Sequence, residues 1–194
     1  MSTEFFFNGP KTAKLTIVLA HGAGAPMDSA FMNFFAEHLA AKKFRVARFE
    51  FPYMTERRAT GKKRPPNPAQ VLLETYRAVI AELGADKLVI GGKSMGGRIA
   101  SMVADETGVR GLVCLGYPFH PPGKPEKLRT EHLETLKTPA LFLQGTRDPF
   151  GTRDEVQGFP LSKKIELRWL EDGDHGFKPR KASGRTEEQN WLDA

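Results

Sequence analysis

Apolar positions along the chain fall into short unbroken runs separated by amphipathic stretches. Residues 15–20, Leu-Thr-Ile-Val-Leu-Ala, are almost wholly apolar and run into His21-Gly22-Ala23-Gly24, which predicts a strand buried on both faces and a glycine turn after it. Phe31, Phe34, Phe35, His38 and Leu39 recur at helical spacing, so 29–43 reads as a helix capped by Asp28 or Ser29. A second strand covers 44–51 and ends at Pro52, after which 56–66 reads as a basic, proline-bearing loop reaching Pro68. Leu72, Tyr76, Val79 and Leu83 then mark one helix face, closed by Gly84. Further strands are predicted at 87–91, 110–115, 140–144 and 165–170, with helices at 95–106, around 130–136, near 152–158 and from 186 onward. Strand and helix alternate without a repeat or a linker. That order predicts one domain over 1–194, a mainly parallel sheet with helices on both faces. In such sheets ligands sit beyond the carboxyl ends of the strands, so the loops that follow strands are where chemistry belongs.

Composition narrows the picture. Of 194 residues, 40% are hydrophobic and 27% charged, which is globular composition and excludes a fully disordered chain. No apolar run is long enough for a membrane span, and the start, with Glu4 and only three consecutive apolar residues, does not read as a secretory signal. Cys114 is the single cysteine, so no disulfide can form within the chain, and a reducing, cytoplasmic setting is expected. The net charge of +6 invites a nucleic-acid reading, but residues 56–66 alone carry +4 of it. The basic character is local, which argues against nucleic acid as the partner and leaves that segment as a site for an anionic one.

Gly92-Lys93-Ser94-Met95-Gly96 is a G-x-S-x-G sequence between a predicted strand and a predicted helix. A serine on so sharp a turn needs neighbours without side chains, and its hydroxyl then stands exposed at the top of the sheet. The helix that follows aims its N-terminus at the site, so the Met95 N–H is a candidate oxyanion donor. A serine hydroxyl is a weak nucleophile unless a base takes its proton and an acid orients that base. Asp148 follows the strand at 140–144 and His175 follows the strand at 165–170, giving the chain order Ser94, Asp148, His175. The loop after the first strand supplies the second oxyanion donor, assigned to the Ala23 N–H with Gly24 as the alternative. Gly24, Arg98, His120 and Arg147 are expected to line the substrate site, and Asp174 to cap the loop beside His175. A phosphate loop is excluded because Lys87 stands where its first glycine belongs, and a dinucleotide loop because Met27 replaces its third. The spacing of the acidic residues and histidines offers no metal site.

With these loops in place the chain resembles the α/β-hydrolase fold, a single-domain, three-layer architecture. The strings LAHGAG, FEFPYM, GGKSMGGRIA, GYPFHPPG, QGTRDPFG and EDGDHGFKPR look more narrowly like one small branch, bacterial predicted hydrolases grouped with animal testis-expressed and chromatin-complex (NSL subunit) homologues. Dienelactone hydrolases are more distant and carry cysteine where this chain has Ser94. The resemblance implies a Ser94–His175–Asp148 triad but brings no substrate with it; the chemistry of the triad itself leads to the expectation of a small acyl substrate and no cofactor. The chain departs from the fold's usual extent in two places. About 46 residues follow Asp148, so the last helix is expected to be short, and the stretch between the fourth and fifth predicted strands is too brief for a lid domain. The expected activity is hydrolysis of a small carboxylic ester or thioester. The alternative is a binding protein on a hydrolase scaffold, using the basic segment 56–66. Oligomeric state has no signal in the sequence.

Overall fold

The computed structural model describes residues 3–194; Met1 and Ser2, part of the chain start discussed above, lie outside the described residues. Seven strands form one sheet: β1 (Phe5–Asn8), β2 (Thr16–Ala20), β3 (Arg45–Phe49), β4 (Leu88–Lys93), β5 (Gly111–Leu115), β6 (Ala140–Gly145) and β7 (Ile165–Leu170). Their spatial order is β1-β3-β2-β4-β5-β6-β7. All neighbours are parallel except the edge pair β1–β3, in which Phe5 lies opposite Phe49 and Asn8 opposite Val46.

The twofold period of a strand decides which helix each residue meets. In β2, Val18 and Ala20 face α3 (Ala69–Leu83) and α4 (Met95–Thr107), within a core shared with Tyr76, Val79, Ile99 and Val103. Ile17 and Leu19 face the other way, toward Met32 and Ala36 of α1 (Ala30–Ala41). Farther along that second face, Leu115, Leu143 and Leu170 pack with Phe35 and with Trp191 of α6 (Glu187–Asp193). Two apolar layers therefore clamp the sheet, and α4 enters at its centre. The remaining helices are α2 (Pro52–Thr60) and the one-turn α5 (Arg153–Val156).

Three expectations need correction. Six strands were expected; β1 is the seventh, a short edge strand whose Phe7 is 46% exposed and carries the Arg45 guanidinium over its ring at 4.4 Å. The basic segment 56–66 is not all loop, because 52–60 is helix α2. Pro52 does not merely end the preceding strand: it occupies the first turn of this helix, where its missing N–H costs nothing. Within that segment Arg58 pairs with Glu50 at 2.6 Å and Asp28 at 2.8 Å, and Arg64 pairs with Glu56 at 2.6 Å. Arg57 donates to the Gly24 carbonyl at 3.0 Å. Two of the five cations of this segment, Arg58 and Arg64, are thus paired with carboxylates of the protein. Finally, the helix expected around 130–136 is a single 3-10 turn, Glu131–Leu133.

Candidate active site

Ser94 stands between β4 and α4 with φ +52° and ψ −115°, a conformation that costs a non-glycine residue free energy and persists only where its surroundings fix it. The surroundings do so. The Ser94 N–H donates to the Leu115 carbonyl of β5 at 3.0 Å, and the Ser94 carbonyl accepts from Arg98 N–H at 3.0 Å as the first bond of α4. Gly92 and Gly96 lie so near the Ala20 carbonyl of β2 that a Cβ on either would collide with backbone. The elbow therefore depends on both glycines of the motif.

His175 Nε2 lies 2.8 Å from Ser94 Oγ, and His175 Nδ1 lies 2.8 Å from Asp148 Oδ2. With its proton on Nδ1, the neutral ring donates to Asp148 and accepts from the Ser94 hydroxyl. Asp148 is fully buried, while the His175 side chain is 23% exposed. The Asp148 carboxylate also accepts from Gln144 Nε2 at 2.9 Å and from the Phe150 N–H at 2.9 Å, so its orientation is fixed from three sides. Gln144 is itself held by the Tyr117 N–H, which donates to its Oε1 at 2.7 Å. The Phe150 ring packs on the imidazole with centroids 4.2 Å apart.

The loop bearing His175 is braced from several directions. Asp174 Oδ1 accepts from the Gly176 and Lys178 N–H groups at 2.8 and 3.0 Å, the capping role expected of it. Trp191 Nε1 in α6 donates to the Gly176 carbonyl at 2.9 Å, and Asn190 Nδ2 to that of Phe177 at 2.8 Å. Asp172, at φ +53°, is clasped by Arg180, whose hydrogen bonds hold its carboxyl below the usual carboxylate range. Lys93 donates its ammonium to the His175 carbonyl and sits 5.4 Å from the Phe31 ring centroid and 5.7 Å from that of Phe177. Burial pushes its pKa down to about 8, against the opposing pull of Asp148 and Asp174.

The loop after β2 is anchored through two rings. His21 Nε2 accepts from the Phe51 N–H at 3.1 Å, which leaves Nδ1 to donate to the Gly22 carbonyl at 2.7 Å. Burial lowers the pKa of His21 and favours this neutral form. From α2, Tyr53 Oη donates to the Ala23 carbonyl at 3.0 Å. Among the described residues, neither the Ala23 nor the Met95 N–H donates to a protein acceptor, and both residues border a cleft that reaches Ser94.

Two clefts flank Ser94. One, of about 430 Å³, is mostly apolar and runs past Gly24, Phe31, Met32 and Trp191. The other, of about 380 Å³, is bordered by Leu72, Ile99 and Pro118 together with Arg98 and Arg129. Phe150 and Ala23 border both. Of the expected substrate-lining residues, Gly24 and Arg98 are therefore beside Ser94. The other two are not. His120 is only 3% exposed, its Nδ1 lies 2.9 Å from the Pro121 carbonyl, and its Nε2 faces Glu155 at 3.5 Å, too far for a hydrogen bond of good geometry. Arg147 lies 2.9 Å from Asp172 Oδ1 and donates to the Asp172 carbonyl, so it braces the His175 loop instead. Tyr53, Lys93, Arg129, Gln144 and Phe150 were not expected at the site. Lys93 adjoins Ser94 in the chain, but the motif leaves its position free; the others reach Ser94 or its partners through contacts that no local pattern marks.

The mainly parallel sheet, the helices on both faces and the serine elbow at its centre define an α/β hydrolase. The chain belongs to the Alpha/beta hydrolase domain family, which it matches over residues 13–194. It is similar in structure to an alpha-beta serine hydrolase homologue from Coxiella burnetii, with a TM-score of 0.69 and 22% identity over 98% of this chain and 89% of that one. A serine hydrolase without a lid from Xanthomonas campestris gives 0.70 at 16% identity, covering 98% and 84%. The esterase Est1E from Butyrivibrio proteoclasticus gives 0.68 at 13%, covering 97% and 91%. At these identities the likeness is one of fold.

Proposed function

We propose that the protein is a lidless serine hydrolase that cleaves small carboxylic esters or thioesters through an acyl-enzyme. The observation that carries this reading is the unbroken hydrogen-bond chain from Ser94 through His175 to the buried Asp148, with 2.8 Å at each link. Ser94 Oγ attacks the carbonyl carbon while His175 Nε2 takes its proton. The carbonyl oxygen becomes an oxyanion, which the Met95 and Ala23 N–H groups stabilise. Asp148 keeps the Nδ1 proton in place and stabilises the imidazolium. The tetrahedral intermediate collapses, the C–O or C–S bond breaks, and the leaving group departs with the proton from Nε2. Water then attacks the acyl-serine with His175 as base, and a second collapse releases the carboxylic acid and restores Ser94. Each step uses only protein groups, substrate and water.

Within the family, we assign the chain to the branch of bacterial predicted hydrolases and animal testis-expressed and NSL-subunit homologues, on the motif strings quoted above. A cytoplasmic location is part of the same proposal. Among the described residues no helix is long and apolar enough to cross a membrane.

The test is covalent labelling with a fluorophosphonate. Wild type is expected to label, and Ser94→Ala to lose labelling with its circular dichroism unchanged. His175→Ala should slow labelling by several orders of magnitude. A folded wild type that does not label overturns the proposal.

A further inference from the structure

The second cleft beside Ser94 holds an imbalance of charge. Arg98, one turn into α4, and Arg129, in the segment between β5 and β6, border the same space. Among the described residues, neither guanidinium donates a hydrogen bond or lies within ion-pair distance of a carboxylate, and Arg98 Nε is shut off from solvent with no partner. Other arginines around the site are treated differently: Arg58, Arg147 and Arg180 each pair with an aspartate or glutamate. Placing two cations together without a counter-charge is unfavourable, and leaving a buried donor unmade adds to the cost. Burial and the charge of Arg98 both depress the pKa of Arg129.

The fold fixes this arrangement in place. The Arg129 N–H donates to the Phe119 carbonyl at 2.8 Å, and the Arg129 carbonyl accepts from Tyr117 Oη at 2.8 Å, so the segment cannot easily swing out to water. Arg98 is tied through its backbone to Ser94 and, through its carbonyl, to Ser101 Oγ at 2.7 Å. Apart from Ser94 and Asn67, whose Oδ1 accepts from the Tyr53 N–H at 2.8 Å, the remaining lining, with Leu72, Ile99 and Pro118 among it, is apolar. A hydrocarbon arm suits those walls, and an anion suits the two forks near them.

We propose that Arg98 and Arg129 form an anion-recognition subsite, and that the substrate is an ester or thioester bearing a carboxylate on the arm that enters their cleft. The opposite arm is apolar and lies in the cleft lined by Phe31, Met32 and Trp191. This deepens the proposed hydrolase function and rests on Ser94 as the nucleophile.

The experiment separates the two ideas by reading binding without turnover. Ser94→Ala is titrated calorimetrically with two ligand pairs of matched shape. Monomethyl glutarate against methyl valerate places the charge on the acyl arm. 4-Acetoxybenzoate against 4-acetoxytoluene places it on the alcohol arm. The charged member of one pair is expected to bind roughly 10- to 100-fold more tightly, and this preference should weaken with added salt. Adding Arg98→Gln or Arg129→Gln to Ser94→Ala should collapse that ratio toward one, with circular dichroism confirming that each variant is folded. Equal binding of charged and neutral ligands, no measurable binding of either charged ligand at millimolar concentration, or a preference that survives both glutamine variants overturns the subsite. Fluorophosphonate labelling of wild type is run alongside. Labelling without a charge preference removes the subsite and leaves the hydrolase. A charge preference without labelling removes the hydrolase and leaves an anion-binding cleft.

Discussion

At the scale of single residues, the chemistry the sequence displayed most openly was the set of Ser94, Asp148 and His175. Each follows a strand whose apolar run is easy to see, and a fixed chain order links them. Lys93 shows what such reading misses. It fills the variable position of G-x-S-x-G, which the motif leaves free, and only the fold brings its ammonium to the His175 carbonyl. The same placement takes the charge out of water, so its pKa falls from 10.5 to about 8. The sign of the linked stability follows. Between pH 8 and 10.5 the unfolded chain holds a proton on this group that the folded chain has released, so folding grows more favourable as pH rises through that window. Below pH 8 the full cost of the buried ammonium is present, on the order of 3 kcal/mol. Lys93→Met removes that cost together with the hydrogen bond. The variant is therefore expected to be as stable as wild type or more so below pH 8, with the advantage shrinking by pH 10.5. Its kcat should nonetheless fall, because the His175 carbonyl has lost its donor. Urea unfolding of both proteins from pH 7 to 10.5 checks this, and a stability difference that does not change with pH would refute it.

At the scale of elements, the legible parts were those whose apolar pattern is dictated by burial on two sides. β2, β4, β5 and β6 are central strands, and α3 and α4 present clear apolar faces to them. The elements that escaped notice are ones with little to bury. β1 is four residues long and pairs on one side only. α2 buries just Tyr53 and Met54, and its remaining positions are charged or small, so composition alone reads as loop. Yet α2 bears on the site, because Tyr53 Oη holds the Ala23 carbonyl and Arg57 the Gly24 carbonyl. The expectation is that Tyr53→Phe leaves the sheet intact but frees the loop after β2. If the Ala23 N–H is the oxyanion donor proposed above, loss of one hydrogen bond of about 1 kcal/mol to the carbonyl of the same residue predicts a fall in kcat of roughly five- to tenfold. KM should change little, since the loop acts mainly on the charge that develops in the transition state. Steady-state kinetics on a soluble ester distinguishes the cases: a variant with unaltered kcat would mean that Tyr53 serves packing alone.

At the scale of the whole molecule, the absence of room for a lid was visible in the length of the 116–138 stretch, but its actual use was not. That stretch folds back beside the elbow instead of over it, and Pro118 and Arg129 become a wall of one cleft. The hydrogen bonds of Tyr117 and Phe119 to Arg129 are long-range consequences of packing, which no local pattern announces. Ser94 is left partly exposed, and 23% of the His175 side chain stays open to water. A site already open in solution has no closed state for a lipid surface to relieve. Its turnover is therefore expected to depend on dissolved substrate alone. With p-nitrophenyl butyrate, or with tributyrin carried through its solubility limit, the rate should follow one hyperbola and level off once the dissolved concentration is fixed. A sharp rise as emulsion droplets appear would show that a closing segment exists and that an interface opens it. A series of p-nitrophenyl esters of different acyl length bears on the two clefts. If the acyl arm lies in the apolar cleft beside an open serine, shortening it should alter kcat/KM gradually, by about fourfold for each methylene removed, rather than abruptly at one length.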